Sequence, residues 1–91
     1  IIKPNHAFTP NGDGGNDSWF IQGIESFAGS DVLVFNRWGQ RVFFNSEYSN
    51  DNGWNGKHNG ADLPEATYYY IIDIVNNCVK EQLNGTVTII R

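Results

Sequence analysis

Five Asn-Gly dipeptides punctuate this 91-residue chain, at Asn11-Gly12, Asn52-Gly53, Asn55-Gly56, Asn59-Gly60 and Asn84-Gly85. The dipeptide suits turns that need positive φ, because glycine lacks a Cβ and asparagine tolerates the left-handed region. Between these turns lie short runs of aromatic and β-branched residues, and no long segment shows a 3.6-residue apolar period. Frequent turns between such runs predict an all-β fold. Seven or so strands in a chain of this length fit an immunoglobulin-like, two-sheet β-sandwich.

The runs can be placed one by one. Residues 5–8 follow Pro4 and read as an edge strand. Residues 17–22 carry Trp19 and Ile21 on one face. Residues 31–36 set Val32 and Val34 against Leu33 and Phe35, so both faces are apolar and the strand is central. Arg37-Trp38-Gly39-Gln40 turns the chain, with Gly39 at positive φ, and residues 41–45 return as the hairpin partner. Residues 45–53 form a polar loop, anchored by Trp54, and residues 59–66 form a second loop. Residues 67–75 make the longest strand, and Asn76-Asn77 a hairpin turn. The closing runs, 78–83 and 86–91, are parted by Asn84-Gly85, read as a tight turn or as a bulge within one strand. The expected core is Phe8, Trp19, Ile21, Val34, Phe35, Val42, Trp54, Tyr68, Tyr70, Ile72, Val87 and Ile89.

Size and charge exclude several functions. A chain this long is one domain that buries roughly two-thirds of its unfolded surface, enough for one core but not for a deep enclosed active site as well. The net charge of −4, with only six Lys and Arg, gives no basic footprint for nucleic acid or an anionic membrane. No apolar run approaches the ~20 residues that span a bilayer, so the domain is expected not to insert into a membrane. Cys78 is the single cysteine, which rules out an internal disulfide and a cysteine zinc site, and reads as a small half-buried hydrophobe. The opening Ile1-Ile2 without Met suggests a piece of a longer protein.

Catalytic constellations are absent from the pattern. His6 and His58 are the candidate bases, and neither sits in a catalytic signature. Ten carboxylates form no specific pair; Asp73, which interrupts an apolar strand, faces solvent or accepts a hydrogen bond at the sandwich rim. The loop from Asn11 to Asp17 is the better candidate. Asn11, Asp13, Asn16 and Asp17 offer oxygens at short spacing, which either hold turns through backbone N–H groups or gather a Ca²⁺ ion. Trp38, at a hairpin tip, is the one tryptophan placed for a sugar platform, since Trp19 and Trp54 read as core.

Five blocks in order resemble one family. They are residues 5–17 (NHAFTPNGDGGND), Val34-Phe35-Asn36-Arg37-Trp38-Gly39, Trp54-Asn55-Gly56, Leu63-Pro64 with Thr67-Tyr68-Tyr69-Tyr70, and a closing Gly85-Thr86-Val87-Thr88-Ile89-Ile90-Arg91. The chain resembles the gliding-motility-associated C-terminal domain, the type B sorting domain of the Bacteroidetes type IX secretion system. It departs from the family pattern at Gly15, at Asn55 and at Glu65-Ala66. The resemblance implies a non-catalytic C-terminal domain of a larger secreted protein. It implies recognition by the type IX machinery and an outer-membrane partner protein, and delivery through the periplasm to the cell surface or medium. A monomer is expected. Residues Gly85, Thr86, Val87, Thr88, Ile89, Ile90 and Arg91 are the expected recognition segment, read by strand-edge pairing. The rival expectation is a Ca²⁺-stabilised adhesion or carbohydrate-binding β-sandwich module.

Overall fold

The computed structural model describes residues 2–12, 14–27, 29–76 and 79–91. Its strands are β1 (Lys3–Pro4), β2 (Ala7–Phe8), β3 (Ile21–Gln22), β4 (Asp31–Phe35), β5 (Arg41–Asn45), β6 (Lys57–His58), β7 (Ala61–Asp62), β8 (Ala66–Asn76) and β9 (Val79–Ile89). Five of them form the main sheet in the order β2-β9-β8-β4-β5, and β1-β3 and β6-β7 are two-stranded ribbons. Only β2 runs parallel to its neighbour, β9; the other pairs of the main sheet are antiparallel. The all-β sandwich expected from the turn pattern is the observed fold class.

β8 and β9 are the frame. They pair without a break from Ala66↔Ile89 to Asn76↔Val79. Asn84-Gly85 is therefore neither a turn nor a bulge, contrary to the sequence expectation. Gly85 lies opposite Tyr70, and a Cβ there would meet the Tyr70 Oη at 2.7 Å and Cζ at 2.9 Å. The glycine makes room for a ring in a regular strand instead of bending the chain. Asn76 ends β8, and Asn77 and Cys78, expected to complete the turn and open the next strand, lie outside the described residues.

The period-2 pattern sorts the sheet's two faces. Val32, Val34, Tyr68, Tyr70, Ile72, Val87 and Ile89 are buried on the inner face. Leu33 and Phe35 share the outer face, so Phe35 is half-buried there and Val32 takes its expected place in the core. One residue beyond, the β4–β5 register shifts between Val34↔Phe43 and Phe35↔Arg41, leaving Val42 unpaired. This bulge lets adjacent residues both face inward: Val42 is buried and Phe43 packs against the core.

Covering the inner face are loops and the β1–β3 ribbon, fastened by aromatic rings, while the exposed β6–β7 ribbon lies beside β5. Trp19 stands 5.2 Å from Tyr70, and Trp54 stands 5.5 Å from Phe8 and 5.9 Å from Tyr68, centroid to centroid. The Trp19 backbone N–H donates to the Trp54 carbonyl at 2.8 Å, joining the two covering segments. Residues 17–20 are thus anchored but not in a strand, and only Ile21–Gln22 of that expected strand pairs. The expected loop at residues 59–66 contains β7 and the tip of the β6–β7 ribbon, whose turn is Asn59 at φ 53° and Gly60 at φ 81°.

Polar side chains complete what the short strands leave open. Asn50 acts as a strand partner for Ile21: its Oδ1 accepts the Ile21 N–H at 2.7 Å and its Nδ2 donates to the Ile21 carbonyl at 2.8 Å. Glu25 holds Asn50 in place by accepting its backbone N–H at 2.8 Å. Buried Ser30 donates to the Phe27 carbonyl at 2.7 Å and accepts the Val75 N–H at 3.1 Å. Tyr48 donates its hydroxyl to the Trp19 carbonyl and accepts the Trp54 N–H at 2.9 Å, so one phenol bridges both tryptophan segments.

Burial raises the Tyr48 pKa; its Trp54 hydrogen bond lowers it and the Glu25 charge raises it further. Burial also raises Tyr68 and Tyr70. A phenol whose folded pKa is raised contributes stability below its unfolded pKa of about 10, and that contribution is lost above it. Melting temperature should therefore hold steady up to about pH 10 and fall beyond it. Tyr48→Phe should cost about 1–3 kcal/mol at neutral pH, by orphaning the Trp54 N–H and the Trp19 carbonyl, and should flatten part of the alkaline fall. Thermal melts of the two proteins across that pH range check both.

Candidate recognition surface

The closing segment has a different role at each residue. Val87 and Ile89 are fully buried. Thr88 donates its backbone N–H to the His6 carbonyl at 2.8 Å, and Ile90 donates to Phe8 at 3.0 Å. These are the bonds that hold β2 against the last strand, so residues 88–90 already have a strand beside them. Thr86 is exposed and Gly85 is covered by the Tyr70 ring.

Arg91 works as a clasp between loops. Its backbone N–H donates to Glu65 Oε1 at 2.9 Å, and its Nε donates to the Leu63 carbonyl at 2.7 Å. One terminal nitrogen reaches the Gly56 carbonyl at 3.1 Å, and the other the Pro10 carbonyl at 3.4 Å and Asp62 at 3.9 Å. A planar fork with five donors can serve several carbonyls at once, which an ammonium cannot. Gly56 completes the fit: its φ is +78°, and a Cβ would approach Pro10, Arg91 and Ile89 at 3.3–3.4 Å. Thus three of the five sequence blocks meet around one guanidinium.

The Asn11-Asp17 loop is held by Asp17. Its Oδ1 accepts the Gly12 N–H at 2.9 Å and its Oδ2 accepts the Gly14 N–H at 2.8 Å. The Thr9 N–H donates to the Asn16 carbonyl at 2.8 Å, and Asn16 takes φ 60°. These are the turn-holding bonds that the sequence allows. Of the candidate Ca²⁺ ligands, Asn11, Asn16 and Asp17 are described, whereas Asp13 lies outside the described residues. Among the described residues no group of three or more His, Cys, Asp and Glu side chains gathers as a metal set.

The remaining candidates fall on the surface. His6 and His58 are exposed. Asp73 is half-buried and accepts from Gln82 Nε2 at 2.9 Å. Trp38 is 71% exposed, whereas Trp19 and Trp54 are buried, so the sugar-platform reading rests on a single ring. The Arg37 guanidinium lies 4.3 Å from the centroid of that ring. The turn beneath it is held by Asn36, whose Oδ1 accepts the N–H groups of Trp38 and Gln40, each at 3.0 Å. Sequence reasoning missed the outer band beside it. Leu33, Phe35, Phe44, Tyr69 and Ile71 share the outer face, with Phe44 and Tyr69 about half exposed. The apolar alternation on both faces of residues 31–35 was its signal.

The family model of the CHU_C type IX secretion signal domain matches residues 1–89. The chain belongs to that family. The match spans all five blocks except the last two residues of the closing one, so it covers the whole fold of the signal domain. Neither the comparison with curated proteins nor that with solved structures returns a match. The signal domain has, among its described residues, no helix long and apolar enough to cross a membrane.

Replacing Arg91 tests the clasp. Arg91→Ala should destabilise the signal domain by about 1–2 kcal/mol, and Arg91→Lys should recover less than half of that, because one ammonium cannot serve the separated carbonyls. Denaturant unfolding of the three proteins reads the difference.

Proposed function

We propose that this signal domain is a non-catalytic export address, read in its folded form by the type IX secretion machinery. The domain serves as the C-terminal part of a larger secreted protein and delivers it through the periplasm to the cell surface or medium. An outer-membrane partner protein does the reading. The observation that carries this is the family match across residues 1–89, which follows the entire fold and not the closing strand alone.

Burial favours a folded address over a linear one. The side chains of Val87 and Ile89 face the core, so a partner that meets the folded domain does not touch them. On this reading, residues 87–91 act mainly by completing the sheet and fastening its loops, and recognition falls on surfaces that the fold presents. Small periplasmic domains commonly depend on disulfides; this one has a single cysteine and relies on its aromatic core.

A fluorescent reporter fused to the 91 residues, behind a Sec signal, tests the proposal in a Bacteroidetes strain with and without type IX machinery. Fluorescence at the surface or in the medium is expected only in the competent strain. Periplasmic retention in both strains would contradict an export address in these residues.

A further inference from the structure

The main sheet has two edges, and they are finished differently. The β5 edge is five residues long and carries the Val42 bulge. It also faces β6 across a cleft of about 320 Å³ lined by Arg41, Phe43, Lys57 and His58. Bulges and covering segments are the usual means of stopping a sheet from adding a strand. Among the described residues, the other edge is closed only where β2 lies on Thr88 and Ile89.

Beyond β2, the row of hydrogen-bonding groups continues. Thr88 and Ile90 donate away from β8, toward β2. Backbone groups alternate sides along a strand, and the β8–β9 register has no shift. The N–H and C=O groups of Thr86, Asn84 and Gln82 therefore point outward in the same row. No hydrogen bond to these backbone groups is made among the described residues. Neither a proline nor a bulge interrupts residues 82–86.

We propose that the β9 edge from Gln82 to Thr86 is a strand-addition site for an extended segment of a separate polypeptide, laid in the row that β2 begins. This rests on the export-address reading, and the segment belongs to the machinery that reads the domain. Its chemistry follows from the edge. Five residues span about 17 Å of extended chain. Side chains on the inner side would lie beside half-buried Leu83 and Gly85, which asks for apolar or small residues there. On the outer side they would lie beside exposed Thr86, Asn84 and Gln82, which asks for polar ones. The Glu81 end, close to Asp73 and Asp31 around one surface hollow, suits a basic residue, in keeping with the net charge of −4. Backbone pairing supplies the affinity and the alternate side chains supply the choice of partner.

Proline tests the edge without removing a native hydrogen bond. Asn84 directs its N–H outward, and an edge strand accepts proline at such a position. In the reporter fusion, Asn84→Pro should leave the melting temperature within about 3 °C of the parent and lower export by about tenfold or more. The double variant Asn84→Lys, Thr86→Lys keeps every backbone bond, crowds the edge with charge and should lose export as well. It decides the matter should the proline variant unfold. Folded variants exported at the parent's level would overturn the edge site while leaving the export address intact. Failure of the parent itself would instead remove the export reading. Sedimentation of the purified domain separates the other occupant: a dimer dissolved by Asn84→Pro would give the edge to a second copy and overturn the proposal.

Discussion

The pairing of β8 with β9 is the constraint from which the other features follow. Eleven residues on each strand stay in register, so their alternation fixes which side chains become the floor of the core. Tyr68, Tyr70, Ile72, Val87 and Ile89 form that floor. β4 takes its place against β8, and β2 against the far end of β9. The exception that permits this regularity is Gly85, whose missing side chain makes space for Tyr70. Any larger residue would have to displace an aromatic ring that itself contacts Trp19.

The second layer is made differently from the first. It has little regular pairing, so its position depends on large rings and on polar side chains that stand in for strands. Trp19 and Trp54 each bury a bulky ring, and loss of such a ring typically costs about 3–5 kcal/mol. Tyr48, Asn50 and Arg91 join segments far apart in sequence by bonding to backbone atoms. A loop layer of this kind can be specific without disulfides, provided each buried polar group finds a partner, and no buried side-chain N or O among the described residues lacks one.

Local chemistry was legible in the sequence and long-range chemistry was not. The turn from Asn36 to Gln40, with Gly39 at φ 81°, was readable because its signal lies within five residues. So were β5, most of β4 and β8, and the burial of Trp19 and Trp54. Asn84-Gly85 misled because the same dipeptide serves a positive-φ turn and a close approach, and only the residue across the strand distinguishes them. Asn59-Gly60, by contrast, is the tight turn that the dipeptide suggests. The clasping role of Arg91 depends on carbonyls from residues 10, 56 and 63, which no local pattern brings together. The open part of the β9 edge was equally hidden, since it depends on how short β2 is. The family, however, was readable from the five blocks, and the match over residues 1–89 bears it out.

Amide hydrogen exchange along β9 tests most directly whether one unbroken strand has an open edge. Leu83, Gly85, Val87 and Ile89, which face β8, and Thr88, which donates to His6, should be protected. Gln82, Asn84 and Thr86 should exchange rapidly, giving an alternation of slow and fast amides that ends where β2 begins. Uniform protection across residues 82–86 would mean that the edge is already covered. Uniformly fast exchange there would mean that β9 breaks at Asn84-Gly85, and either result would contradict this structure.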